Sequence, residues 1–120
     1  FQNFNDITPG KGYWIRMTQN GPLRLTGTLV TNMSEELSVD YNLVSFPIFD
    51  NAQGNTSIEY VLSSINGSFN NVYEFDNTQK AYNFYLIVGN NIFQNFNDIT
   101  PGKGYWIRMT QNDTLVYSDD

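Results

Sequence analysis

Any chemistry in this chain has to be carried by carboxylates, amides, hydroxyls and aromatic rings. Its 120 residues include no histidine and no cysteine. That removes imidazole proton transfer, thiolate nucleophiles, imidazole or thiolate metal sites and disulfides. An enzyme running on carboxylates alone, such as a glycosidase or aspartic protease, needs two acids converging on one bond. Glu35 and Glu36 are adjacent, so on a strand they point to opposite sides and cannot converge. Glu59 sits where a helix cap is expected. The Gly102-Lys103-Gly104 turn lacks the G-x-x-x-x-G-K-[ST] surroundings of a phosphate loop. These residues predict no enzyme and no cofactor.

Three other kinds of site can be built from what is present. Four N-x-[ST] sequons, at Asn32, Asn55, Asn66 and Asn112, are candidate glycosylation sites if the chain is secreted. Asp50, Asp76, Asp98, Asp113, Asp119 and Asp120 could offer oxygen to a cation. No D-x-[DN]-x-[DN]-G run brings six to eight ligands together, so the acids in Asn-rich turns read as turn residues and no metal is expected. Trp14, Trp106, Tyr13 and Tyr105 could stack on sugar rings, with asparagine side chains fixing hydroxyls. The competing expectation is that Tyr-Trp-Ile is a core strand, since aromatics dominate cores, with Trp106 packed under the helix or against a neighbouring module.

Charge narrows the partners. Twelve acids oppose six bases, for a net charge of −6. Six scattered cations give no footprint for a phosphate backbone, which argues against nucleic acid. No apolar run approaches the ~20 residues of a membrane-spanning helix. Charged residues are 15% of the chain, below the roughly 25% usual for soluble domains. Polarity comes instead from 17 Asn, 8 Ser and 10 Thr, and aromatics reach 16%. This composition suits short strands joined by tight turns.

The strongest feature is internal. Residues 1–20 read FQNFNDITPGKGYWIRMTQN, and residues 93–112 repeat all twenty letters at an offset of 92. Beyond the identity, Gly21-Pro22-Leu23-Arg24-Leu25 aligns with Asp113-Thr114-Leu115-Val116-Tyr117, and an alternating pattern persists through Leu23 and Leu115. The chain is one period of 92 plus 28 residues (120 − 92 = 28). A fixed period indicates tandem modules, or a unit completed by a neighbour.

Positioning these residues calls for a mainly β fold. Gly12–Thr18 alternates, with Tyr13, Ile15 and Met17 on one face and Trp14 and Arg16 on the other, and its copy at Tyr105–Thr110 does the same. Further strands are expected at Pro22–Val30, with Leu23 and Leu25 inward, at Tyr41–Ile48, which Pro47 ends or marks as an edge, at Asn71–Phe75 and at Ala81–Val88. Tyr82, Phe84, Leu86 and Val88 share one face of the last of these. Asp76–Gln79 reads as a hairpin turn and Thr100-Pro101-Gly102-Lys103 as a type II turn. Ile58, Val61, Leu62 and Ile65 fall at helical spacing. Thr56 and Glu59 have capping-box spacing and Asn66-Gly67 supplies a stop, which predicts one short amphipathic helix at about 56–65. The expected architecture is a compact β-sandwich or open barrel of about seven short strands with this one helix.

The order of YNLVSFPI, SIEYVLSSINGSF, NVYEFD, AYNFYLIV and NDITPGKGYWIRM resembles a module of secreted surface proteins of archaea and bacteria. That module opens with a W-N-L-[IV]-S-x-P strand and closes with P-G-[KR]-G-Y-W-[IV]. The resemblance covers residues 41–117, and the closing motif, here Pro101–Ile107, is its specific part. Tyr41 stands where the family usually has Trp, and the Trp often seen near Ala81 is missing. The resemblance implies an extracellular or cell-surface location and a scaffold or adhesive role, and carries over no catalytic residue.

Together these readings predict a structural repeat module. Residues 1–28 are expected to be C-terminal strands of a preceding repeat, or an exchanged segment, and residues 29–120 one complete repeat. Its partners would be other copies of itself, joined head to tail in a filament, sheath or surface layer. The residues expected to carry assembly or strand exchange are Tyr13, Trp14, Ile15, Met17, Leu23, Leu25, Tyr105, Trp106, Ile107, Met109 and Leu115. A carbohydrate-binding or adhesin module, with glycans as partners, is the alternative.

Overall fold

The computed structural model describes residues 1–27, 32–46 and 55–118. Part of the strands expected at Pro22–Val30 and Tyr41–Ile48 lies outside the described residues, as do Asp50, Asp119 and Asp120. The chain is mainly β. Its strands are β1 (Asn32–Leu37), β2 (Asp40–Ser45), β3 (Phe69–Asp76), β4 (Ala81–Val88), β5 (Asn91–Gln94), β6 (Gly104–Met109) and β7 (Asp113–Ser118). They form two antiparallel sheets, a pair β1-β7 and a five-stranded sheet of order β2-β6-β3-β4-β5. Among the described residues the sheets do not close into a barrel, and the arrangement is that of a sandwich.

Alternation explains which residues meet between the sheets. In β6 the odd positions Tyr105, Ile107 and Met109 are buried, whereas Arg108 is exposed and Trp106 half-buried. Val44 of β2, Val72 of β3 and Tyr85 of β4 join them from the large sheet, and Met33, Leu37, Leu115 and Tyr117 from β1 and β7. β3 carries a bulge where Phe69 pairs Met109 but Asn71 pairs Arg108, so one extra residue bends the strand. Asp76 ends β3 by accepting the amides of Thr78 and Gln79 at 2.8 and 3.0 Å, which builds the expected hairpin turn into β4.

The helical segment is shorter than its apolar spacing suggests. α1 (Ile58–Val61) is one turn, followed by a 3₁₀ turn at Ser63–Ile65. Ile58, Val61, Leu62 and Ile65 are nonetheless all buried, so the spacing located the inward face correctly. The cap is Ser57 rather than Thr56. The Ser57 hydroxyl accepts the Tyr60 amide at 3.3 Å, while the Thr56 hydroxyl donates to Asp98 at 3.0 Å. The Ser64 hydroxyl accepts the Val116 amide of β7 at 2.8 Å and ties the 3₁₀ turn to the small sheet.

Residues 12–27 form no strand, which corrects the expectation of strands at Gly12–Thr18 and over Pro22–Thr26. Alternating letters are necessary for a half-buried strand, but a strand also needs a partner for its amides and carbonyls. The Tyr105–Met109 copy lies between β2 and β3 and has two such partners.

Candidate functional site

The repeated segment occupies two environments in one molecule. Its second copy closes the module. Ile58 donates its amide to the Asn97 carbonyl at 3.0 Å and Ile99 donates back to Thr56 at 2.8 Å, clamping residues 97–99 beside α1. Phe96, Ile99, Tyr105, Ile107 and Met109 then enter the core. β6 fills the gap between β2 and β3, in register Leu43↔Trp106 and Tyr73↔Trp106, and β7 runs back along β1.

A buried carboxylate anchors this closure. Glu74 alternates inward with Val72 on β3, and sequence reasoning overlooked it. The Tyr105 hydroxyl donates to Glu74 Oε2 at 2.7 Å and accepts the Thr100 amide at 2.7 Å. Asn83 donates to Glu74 Oε1 at 3.2 Å, and the Lys103 ammonium lies 3.7 Å from the same oxygen. Glu74 thereby ties the turn at 100–103 to the middle of the sheet. Burial, reinforced by Glu74, pushes the Tyr105 hydroxyl well above the ordinary tyrosine range, although the Thr100 amide opposes that rise. The available signal was a charged letter at an inward position of NVYEFD.

The first copy keeps the same local form outside any such slot. Gly10 and Gly102 both take the left-handed conformation, with φ of 91° and 87°. Lys11 donates to the Thr8 carbonyl at 3.2 Å and Lys103 to that of Thr100 at 3.3 Å. The Thr8 amide donates to the Tyr13 hydroxyl at 2.9 Å, as Thr100 does to Tyr105. Phe4 stacks on Tyr13 at 5.8 Å and 28°, and Phe96 on Tyr105 at 6.2 Å and 23°. Burial, however, is reversed. Ile107 is 0% exposed and Ile15 59%, while Leu115 is 0% and Leu23 71%. Phe4, Ile7, Trp14, Met17 and Leu25 are also exposed.

Among the described residues, the first copy makes its backbone pairing with the rest of the fold at the open edge of β2. Lys11 pairs antiparallel with Val44, Gly12 donates to the Leu43 carbonyl at 3.3 Å, and Ser45 donates to the Gly10 carbonyl at 3.0 Å. The Ser45 hydroxyl adds a bond to the Lys11 carbonyl at 2.7 Å. Glycine is required here by close approach. A Cβ on Gly12 would lie 2.5 Å from Leu43 Cγ, and one on Gly10 would meet the Glu35 side chain at 2.6 Å. The contact is a short strand addition that covers part of a free sheet edge.

The outer face of the five-stranded sheet is aromatic. Tyr41, Tyr73, Tyr82 and Trp106 line an open depression of about 440 Å³. Tyr41 meets Trp106 edge-on at 6.3 Å and Tyr73 at 6.4 Å, and Tyr82 packs against Tyr73 and Phe75. The Arg108 guanidinium stands 5.8 Å from the Tyr41 ring centre and pairs with Asp40 at 3.5 Å. Trp14 of the first copy reaches this face through an edge contact with Phe75 at 4.9 Å. Trp106 is therefore on the face away from the core, not under the helix. Tyr105, grouped with it in the sugar-stacking expectation, is buried in the core, and Tyr13 is held against Phe4.

The sequons lie on the surface. Asn32, Asn55, Asn66 and Asn112 are all exposed, and Asn112 Oδ1 accepts the Val39 amide at 2.9 Å. Asp76 serves its turn, Asp98 accepts from Thr56, and Asp113 accepts from the Ser68 hydroxyl at 2.7 Å. Among the described residues no three acidic groups gather at one point. Nor is any helix among them long and apolar enough to cross a membrane. No protein family, curated protein or solved structure matches the chain.

Proposed function

We propose that the chain is a structural, extracellular or cell-surface repeat module that assembles head to tail, with residues 29–120 as one repeat and 1–28 as the closing strands of the repeat before it. The observation that carries this reading is the unequal burial of one sequence in its two copies. Apolar positions that fill a core in the second copy face solvent in the first, so the first copy is a closing segment without a core to fill. Its turn meanwhile lies on the β2 edge, where a preceding module would abut the next. The P-G-K-G-Y-W-I resemblance supports the surface location. Low charge and abundant amides suit close packing of many copies.

Light scattering on native material, with intact mass after denaturation and deglycosylation, tests the reading. It expects either a chain mass built from multiples of the 92-residue unit, or a 13.8 kDa chain whose oligomers lengthen with concentration. A 13.8 kDa chain that stays monomeric at every concentration overturns it.

The aromatic depression favours a second reading, a glycan-binding or adhesin module. Flat half-exposed rings beside Arg108 and Asn71 are suited to sugar faces and hydroxyls. In a Trp14→Phe background, Trp106 emission should be quenched by a soluble polysaccharide, and Tyr73→Ala should abolish the response. No change across a panel of β-glucans and chitooligosaccharides removes this reading.

A further inference from the structure

We infer that residues 1–26 are a second closing segment for the same module body, able to take the place of residues 93–118 within one chain. The slot formed by β1, β2, β3 and the α1 region would then accept either end of the polypeptide. This goes beyond head-to-tail assembly, because it concerns a single molecule and needs no surface location.

The first ground is the content of the slot. The side chains of the second copy that enter the core before β7 are Phe96, Ile99, Tyr105, Ile107 and Met109. Their counterparts Phe4, Ile7, Tyr13, Ile15 and Met17 are the same residues in the same order. In β7, Leu115 corresponds to Leu23, and Tyr117 is the one buried position that changes, to Leu25.

The second ground is preorganisation. Outside the slot the first copy already has the turn, the Thr8–Tyr13 hydrogen bond and the Phe4–Tyr13 stack that the second copy has inside it. The side chain of Gln2 also bonds the Phe4 carbonyl and the Asn5 amide oxygen, as Gln94 does to Phe96 and Asn97. Entering the slot keeps the local form of residues 2–13, and residues 13–26 become strands on pairing there.

The third ground is connectivity. β7 is antiparallel to β1, with Ser118 opposite Asn32. Thr26 is the counterpart of Ser118 (118 − 92 = 26). Placed there, Thr26 would stand opposite Asn32 with five residues between them in the chain, a length that hairpin connections use. The N-terminal segment would thus enter as the partner arm of β1, giving a circular permutation of the same fold.

The differences between copies set the preference. Asp113 accepts from Ser68 and from its own neighbour, the Thr114 amide, whereas Gly21 and Pro22 offer neither the acceptor nor that donor. The Val116 amide bonds Ser64, and Arg24 has an equivalent amide to give. The C-terminal segment is therefore favoured by the Asp113 contacts at one end of β7 and by Tyr117 where the first copy has Leu25.

The full chain carrying Ile107→Asp tests this, beside Ile15→Asp and the double variant. Closure by residues 1–26 expects Ile15→Asp to melt like the parent. Ile107→Asp should remain monomeric with a cooperative transition at lower temperature, and the double variant should lose its transition. In Ile107→Asp the Ile15 methyl should take the NMR shift of the parent's Ile107 methyl. Gly21→Asp, which restores the missing carboxylate, should raise the melting temperature of Ile107→Asp. If Ile107→Asp and Gly21→Asp/Ile107→Asp both lack a transition, as the double variant does, the inference is overturned. It is overturned equally if Ile107→Asp folds only as a dimer, with closure supplied by a second copy.

Discussion

Ile15 and Ile107 offer an internal control that few proteins contain. Each lies in the same twenty-residue sequence, so intrinsic propensity and neighbouring letters are identical. Truncating each to alanine in the full chain then isolates tertiary burial. Ile107 is fully buried between β2 and β3, in register with Asn42 and Val72. Removing its branched side chain should cost about 2–5 kcal/mol, the transfer and cavity terms together. Ile15 is more than half exposed, and its truncation should fall within about 0.5 kcal/mol. At roughly 4 °C per kcal/mol for a chain of this size, the expected melting shifts are about 8–20 °C and about 2 °C. Thermal unfolding followed by far-UV circular dichroism, checked by urea titration, reads both. Equal shifts would refute the reasoning, because local sequence rather than the slot would then set the contribution. If residues 1–26 can enter the slot, the loss in Ile107→Ala is limited by that competing closure. The double variant then loses more than the sum of the singles, a coupling unexpected for residues without shared contacts.

Three further outcomes follow from named groups. Burial raises Tyr105, Tyr73 and Tyr85 above the ordinary tyrosine value, Tyr85 to about 12 with Glu59 adding to the effect. Because the folded values lie above the unfolded one, their contribution is complete below about pH 10 and is lost as pH rises through the folded values. Urea midpoints measured from pH 8 to 12 should fall above pH 10, less steeply in Tyr105→Phe. Gly12→Ala should remove the contact with Leu43 and speed hydrogen exchange at the Ser45 amide, with little change in melting temperature, since the strand edge is only locally covered. Gly102→Ala, at φ 87° with open space around it, should instead destabilise by about 1–2 kcal/mol in urea denaturation, from left-handed strain alone.

Much of the fold was legible because short-range rules act on it. The hairpin around Asp76, the turn around Gly102 and the inward face of Ile58, Val61, Leu62 and Ile65 follow from residue types at fixed spacing. The length of the helix was not legible: the 3₁₀ turn that follows it is tied through Ser64 to β7, more than fifty positions away. β1 was hidden for a similar reason: NMSEEL is a weak strand by composition and is held by pairing with β7. The site was half visible. The closing motif stood out as a repeat, whereas Glu74 read as one acid among twelve until β3 and β6 brought it to Tyr105. Trp106 was noticed as a ring, but its neighbours Tyr41, Tyr73 and Tyr82 come from three other strands and share no spacing with it.

The repeated segment separates what each level decides. Twenty identical residues form the same turn, the same Thr-to-Tyr hydrogen bond and the same Phe–Tyr stack at both ends of the chain. These contacts close over a few residues, so sequence alone determines them. Only one copy becomes a strand, buries Ile107 and Met109 and binds Glu74. Strand pairing and burial need partners distant in the chain, and β2 and β3 pair with the second copy. Tertiary structure decided which copy becomes a strand.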